Sequence, residues 1–463
     1  MGLVEALLPV RRSVRLNPWC LLPLRGSKVD CISMATIQIQ HIGALTDTGE
    51  VLVKRVTLIL GPQGVGKSTL MKILCYCRWV EKVIMKDPKG LRAYSTGDYF
   101  IDELRIFYRF DKSFFSEQSH IIYKGDILEI DWSQQDGCSI TLYRKGEKER
   151  LRHIPKIAFL PAERNLISAV PNVDKSYRSN ERDVLFNFIF EFDEAKQGYD
   201  AEHKLSLSVA PHLSYYNQQG ADLIWHEQQG ISMEAFYAAS GIQSAFPIDV
   251  FSAYLYKQVG ERSSLSVGEL LTLLKGLFPN KQISEYTGEE VDQVLELVRL
   301  VYSSMQLYIE EPEQNLFPAS QRDLTLRLLQ MMSTVKKKET DAGSKPHSSS
   351  LVFTTHSPYM LSVINTQLAV VRARMDLLDN SEGLSGEEQE KRLAELDALQ
   401  QKYKLDDIDL TSDEYAAYFV EEDGTLKNLI DPGFPMVSGV DLDGVSDWVE
   451  DYTNEIYQIA YGR

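Results

Sequence analysis

Cysteine is scarce in this chain and shows none of the spacings that would give it a framework role. The five cysteines, Cys20, Cys31, Cys75, Cys77 and Cys138, are odd in number and lack metal-ligand spacing. That excludes a paired disulfide scaffold and points to a reducing, cytoplasmic setting. No run approaches the roughly eighteen apolar residues of a membrane span, which argues against an integral membrane role. Positive charge is short: 49 Lys and Arg against 66 Asp and Glu give a net charge of −17. Such a surface does not coat nucleic acid nonspecifically, although a local basic groove is compatible with it. Internal repeats and sustained heptads are missing, so no long coiled-coil arm is expected. What is there, 44% apolar and 25% charged residues over 463 positions, suffices for two or three average domains or one large α/β unit with insertions.

The chain is organised around Gly61-Pro62-Gln63-Gly64-Val65-Gly66-Lys67-Ser68-Thr69, entered from an apolar run at 56–60 and continued by a helical pattern at 70–74. This is the spacing of a phosphate-binding loop between a buried strand and a helix. Its glycines allow positive φ and close backbone approach, so successive N–H groups and the helix N-terminus can face phosphate oxygens. Lys67 then reaches the β- and γ-phosphates, and the Ser68 hydroxyl ligates Mg2+. A glycine-rich turn without a ligand would need neither the lysine nor the hydroxyl.

Residues 1–33 are basic, and their apolar stretch is too short and too broken by proline for an export signal. They read as a disordered extension ahead of a strand that begins near Met34. A β-rich stretch from Ile101 to Ile157 reads as an antiparallel sheet inserted after the phosphate-loop helix. Residues 170–300 read as mostly helical, with apolar positions such as 184, 185, 188, 189, 291, 294, 295 and 298. Residues 320–335 form a helix, Lys336 to Ser350 a solvated polar loop, and 384–405 a charged helix.

Polar groups stand at the exits of four strand-like runs: the phosphate loop, Glu163, Glu310-Glu311 and His356. In open α/β sheets ligands bind beyond the carboxyl ends of strands, so all four can meet one nucleotide. Glu310 can hold Mg2+ while Glu311 orients and deprotonates the attacking water. His356 can hydrogen-bond the γ-phosphate and sense its presence.

Together, residues 61–69, 307–318 (LYIEEPEQNLFP) and 352–360 (VFTTHSPYM) resemble the ABC-type ATPase heads of the broad RecF, SMC and overcoming-lysogenization-defect (OLD) group. Within it, the chain is most similar to the bacterial ATPases labelled "AAA family". The resemblance covers about residues 34–370. It implies an α/β P-loop NTPase fold of the ABC-head type, with an inserted antiparallel β-subdomain and a helical lobe. The divisions it suggests are 34–165 and 301–370 for the ATPase core, 166–300 for the helical lobe, and 371–463 for a small α/β appendage. It also implies that two heads clamp two ATP molecules with Mg2+. By position, Lys67, Ser68 and Thr69 are the Walker A residues, Glu310 the Walker B carboxylate, Glu311 the catalytic base and His356 the switch histidine. Glu163 takes the place of the Q-loop glutamine.

The resemblance further calls for a signature helix whose Ser and Gly N–H groups meet the partner head's γ-phosphate. Ser240-Gly241-Ile242-Gln243 keeps the Ser-Gly-x-Gln core; Leu265-Ser266-Val267-Gly268-Glu269 is the competing stretch. Either can also be an ordinary helix cap. Two departures stand out: Walker B carries glutamate instead of aspartate, and Asp441-Leu442-Asp443 mimics a Toprim nuclease motif with too little chain after it to complete that domain. These aspartates read as a helix start.

The implied function is an ATPase that closes as a dimer and passes the motion to a partner or nucleic acid, in DNA repair or in antiphage defence with a separately encoded nuclease. The alternative is a nucleotide-gated scaffold with little turnover that assembles an effector. A small-molecule kinase would have no use for the signature or the switch histidine, and a GTPase would need a guanine-reading Asn-Lys-x-Asp motif, which is missing.

Overall fold

The computed structural model describes residues 35–86, 90–143, 155–169, 183–260, 287–288, 302–341, 349–379, 383–403, 407–430 and 437. The expected extension at 1–33, the helical pattern at 291–298, the stretch at 265–269 and the aspartates at 441 and 443 lie outside the described residues.

In chain order, β1 (Thr36–Ile42), β2 (Leu45–Asp47) and β3 (Val51–Leu52) lead to β4 (Val56–Leu60), the phosphate loop and α1 (Lys67–Lys86). Helices α2 (Gly90–Tyr94) and α3 (Tyr99–Tyr108) precede β5 (Phe115–Lys124), β6 (Leu128–Ser133) and β7 (Gly137–Leu142). β8 (Pro155–Leu160) is followed by a 3-10 turn, Ala162–Asn165, and by α4 (Leu166–Ala169) and α5 (Val184–Lys196). Next come β9 (Leu205–Leu207), β10 (Ala210–Gln218), β11 (Ala221–His226), β12 (Ile231–Glu234) and α6 (Ser240–Gln258). β13 (Ser304–Glu310), α7 (Pro318–Asp341), β14 (Ser350–Thr355), α8 (Pro358–Leu378) and α9 (Gly386–Tyr403) precede the closing hairpin, β15 (Tyr415–Val420) and β16 (Leu426–Asn428).

The central sheet has the order β16-β15-β4-β14-β13-β8, parallel except for edge strand β16. Every residue of its parallel strands is buried, as expected of a sheet covered on both faces. Alternate side chains feed two cores. Leu58, Leu60, Leu307, Ile309 and Phe353 pack with Phe188, Phe251, Leu328 and Ile364 from α5 to α8. Ile59, Tyr308, Val352 and Tyr418 pack with α1 and the antiparallel sheet β2-β1-β5-β6-β7. The register brings the strand ends level, with Ile309 opposite Leu160, Glu310 opposite Thr354, and Thr355 opposite Leu60. The four polar exits therefore leave one edge side by side. This is the α/β fold of a P-loop NTPase, with an antiparallel insert.

The structure departs from the sequence reading in four places. Ile101 opens no strand: Phe100, Ile101, Leu104 and Tyr108 are buried at helical spacing in α3, and Arg109 ends that helix at φ 59°. The expected helical lobe contains a four-stranded sheet, β12-β11-β10-β9. Its hairpin turn, Gln219-Gly220, takes positive φ at both residues (54° and 87°), a geometry that Asn-Gly signals far more plainly than Gln-Gly. The expected loop from Lys336 starts inside α7, because its lysines are tied down. Lys336 donates to Glu414 Oε2 at 2.8 Å and Asp409 O at 2.9 Å, and Lys338 to Tyr256 O at 3.1 Å. Finally, residues 415–428 are no appendage: β15 pairs with the phosphate-loop strand from Tyr415 to Phe419 and completes the central sheet. No described helix is long and apolar enough to cross a membrane.

Candidate functional site

β4 delivers the chain into a loop where Gly61 and Gly66 adopt φ 140° and 108°, conformations that favour glycine. A Cβ on Gly61 would lie 2.5 Å from the Val420 carbonyl oxygen, and one on Gly66 2.8 Å from the Leu45 side chain. The loop is thus pressed between the end of β15 and the start of β2. α1 begins at Lys67 with no acidic residue in its first turn, which leaves its positive end uncompensated. The Lys67 ammonium donates to the Gly61 and Pro62 carbonyls at 2.9 and 2.5 Å and lies 3.5 Å from His356 Nδ1. Burial pulls its pKa down to about 8, against the opposing pull of Glu311 and Glu313.

β13 ends on the buried Glu310. Its Oε2 accepts from the Ala162 N–H at 3.2 Å. Its Oε1 lies 3.1 Å from Lys72 Nζ, an ion pair without hydrogen-bond alignment, so this buried oxygen keeps a free lone pair. Glu311 follows in a left-handed conformation, φ 42°, uncommon outside glycine. Its N–H is held by Thr354, at 3.1 Å from the carbonyl and 3.2 Å from Oγ1. That turn aims the side chain at His356, whose Nε2 lies 3.2 Å from Glu311 Oε1.

His356 is fixed from two sides. Its main-chain N–H donates to Glu313 Oε1 at 2.6 Å. Immediately after it, the Ser357 hydroxyl caps α8 by accepting from the N–H groups of Tyr359 and Met360 at 3.1 and 3.4 Å, with Pro358 in the first turn. Burial raises the pKa of Glu313 and leaves its Oε2 without a hydrogen-bond partner.

Lys67, His356 and Glu311 thus form a continuous line of contacts, with Glu310, the last residue of β13, immediately before Glu311. Glu163 is exposed in the turn after β8. Its neighbours make the connections: Ala162 to Glu310, and Arg164 to the carbonyls of Glu310 and Glu311 at 2.7 and 2.8 Å. Ser240 is the exposed first residue of α6, whose N-cap position, Ala239, supplies no side-chain capping hydrogen bond. Gln243 folds back onto the Ala235 and Phe236 carbonyls at 3.1 and 2.7 Å. A Cβ on Gly241 would stand 3.0 Å from the Asn315 carbonyl oxygen, so the Ser-Gly turn lies against the loop that follows the two carboxylates.

Sequence reasoning passed over Glu313, Lys72 and Arg164. The third carboxylate of Glu-Glu-Pro-Glu was there to be noticed, whereas a lysine one helical turn past Ser68 and an arginine beside Glu163 gain meaning only from what they touch. Glu310 Oε1, which faces Lys72 but accepts no hydrogen bond, and the Ser68 hydroxyl are hard oxygen donors of the kind Mg2+ takes together with substrate phosphates.

No family model and no curated protein matches the chain. Among solved structures it is similar to the SMC head domain from Thermotoga maritima, with 9% identity over 72% of this chain and 92% of that one and a TM-score of 0.32. It is also similar to the Smc head domain from Pyrococcus furiosus bound to the C-terminal domain of ScpA, with 11% identity, 72% and 91% coverage and a TM-score of 0.33. A third is an ATP-binding cassette of an ABC transporter in its ADP conformation, with 13% identity, 72% and 86% coverage and a TM-score of 0.22. With scores this low, the site's own residues carry the functional reading.

Proposed function

We propose that this chain binds and hydrolyses ATP with Mg2+, and that two copies close head to head around the nucleotide. The observation that carries this reading is the unbroken contact from Lys67 through His356 to Glu311 across neighbouring strand ends. The N–H groups of residues 63–66 and the Lys67 ammonium would hold the phosphates. Ser68 and Glu310 would hold Mg2+, which neutralises phosphate charge when bound. Glu311 would take the proton of the attacking water, and His356 would donate to the terminal phosphate. Glu163 would approach the same nucleotide from the turn after β8.

Ser240 and Gly241 would complete the nucleotide held by a second copy, with Gln243 shaping their turn. Tyr237, Phe317 and Tyr359 are large apolar side chains exposed close in sequence to Ser240, to the carboxylates and to His356. Covering such a surface is what a second copy would do. The closing motion would pass to a partner protein or nucleic acid, in DNA repair or in antiphage defence with a separately encoded nuclease.

Phosphate release tests the reading. Wild type should turn over, Glu311→Gln should bind ATP but lose about 10²–10⁴-fold in rate, and Lys67→Ala should lose nucleotide binding. Sedimentation of Glu311→Gln with ATP should show a dimer. Equal rates for wild type and Glu311→Gln would end the catalytic assignment and favour a scaffold with little turnover.

A further inference from the structure

Arg164 has the largest fully buried side chain among the described residues. Its hydrogen bonds all go to main-chain carbonyls, drawn from three separate elements. Nη1 donates to Pro161 O at 3.3 Å and Glu310 O at 2.7 Å, Nη2 to Glu311 O at 2.8 Å, and Nε to Ser244 O at 3.0 Å. Burial lowers its pKa to about 10, while Glu313, Glu311 and Glu310 pull the other way, so it stays charged at neutral pH. Burying a cation without a carboxylate on its fork is costly, and a flexible ammonium could not reach these carbonyls in one plane.

Two of those carbonyls belong to Glu310 and Glu311, the second of which is held at φ 42°. A left-handed glutamate persists only where its surroundings over-determine it. Thr354 fixes its N–H side and Arg164 its carbonyl side. The remaining arm of the guanidinium ends on α6, four residues after Ser240. There Asn315 Nδ2 adds a second tie, donating to Ser244 Oγ at 2.9 Å.

We propose that Arg164 is the positioning residue for hydrolysis: it sets the aim of Glu311 through the Glu310 and Glu311 carbonyls and ties that aim to the seating of the Ser240 helix. The inference rests on the ATPase reading above. Arg164 touches neither the phosphate loop nor Lys67, so its loss should separate turnover from binding.

The experiment is steady-state ATP hydrolysis with nucleotide binding and thermal melting on the full chain. Arg164→Lys should lower kcat tenfold or more, with KM and nucleotide Kd within threefold of wild type. Arg164→Ala should regain turnover when methylguanidinium is added, while Glu311→Gln should not respond to it. Asn315→Ala, which loosens the second tie and leaves the arginine in place, should also lower kcat with KM unchanged; it keeps the test open if Arg164→Ala does not fold. An active wild type with Arg164→Lys equally active, or with kcat, binding and melting temperature falling in step, overturns the inference and leaves the ATPase reading standing. A wild type without turnover removes both.

Discussion

His356 Nε2 lies 3.2 Å from Glu311 Oε1, while its other ring nitrogen faces the Lys67 ammonium at 3.5 Å. An ammonium can only donate, so Nδ1 accepts, and the ring proton is on Nε2, pointing at the carboxylate. The histidine is therefore a donor toward Glu311, held between a cation and a base. A terminal phosphate that draws Lys67 away keeps that Nε2–H available as a donor. His356→Ala should lower kcat about a hundredfold, as for removal of one donor aimed at developing charge, with ATP affinity little changed. Loss of affinity in proportion to kcat would instead make His356 a binding residue.

Lys67 should give nucleotide binding a pH dependence. Its pKa is lowered by burial to about 8, and phosphates bind its protonated form. Below pH 8 the charge is already in place. Above it, binding must recruit a proton, so affinity should fall by up to about tenfold per pH unit until the pKa of the complex is reached. Fluorescent-nucleotide titrations between pH 7 and about 10 check this, with Lys67→Arg as the control that stays charged. A wild-type profile as flat as that of Lys67→Arg would mean Lys67 is not the group that binds the phosphates.

Lys72 stands 3.1 Å from the carboxylate that would hold the metal. Any divalent ion drawn to Glu310 has to compete with that ammonium. Lys72→Met should therefore lower the Mg2+ concentration that half-saturates thermal stabilisation by ATP, about fivefold for a partly exposed pair worth about 1 kcal/mol. Without metal the variant should melt lower than wild type, because Glu310 is left buried and unpaired. An unchanged Mg2+ midpoint would show that Lys72 and the metal do not share Glu310.

The residues along this edge stood out in the sequence because phosphate chemistry demands specific types at a strand exit: glycine for the turn, lysine for the charge, carboxylates for metal and water. The apolar runs before them were just as readable, since a strand buried on both faces leaves no polar alternation. The order of the strands was not readable. Nothing in the run before His356 says that β14 lies between β4 and β13, the arrangement that lets the imidazole reach both Lys67 and Glu311. β15 looked peripheral because its partner, β4, is remote in sequence. Arg164 read as an ordinary polar loop residue, because the carbonyls beyond its own turn come from two remote places in the fold, the end of β13 and α6.

Asp249 offers a test of the packing behind the site. It lies fully buried in α6, where its Oδ2 accepts from the Ser208 N–H and hydroxyl, both at 2.9 Å. Burial raises its pKa to about 6, with the Ser208 bonds and Arg327 opposing the shift. Because the folded value exceeds the unfolded one, its contribution to stability is full below about pH 4 and is lost as pH rises through about 6. Above that range the fold carries a buried carboxylate charge. Asp249→Asn keeps an acceptor for Ser208 and removes the charge, so the stability of the variant relative to wild type should climb between pH 4 and 6 and level off above it. Two pKa units correspond to a climb of about 3 kcal/mol. Urea unfolding of both proteins at matched pH measures the difference. Parallel profiles from pH 4 to 8 would mean that Asp249 titrates as an ordinary surface carboxylate and that α6 is packed less tightly against the Ser208 turn than the hydrogen bonds imply.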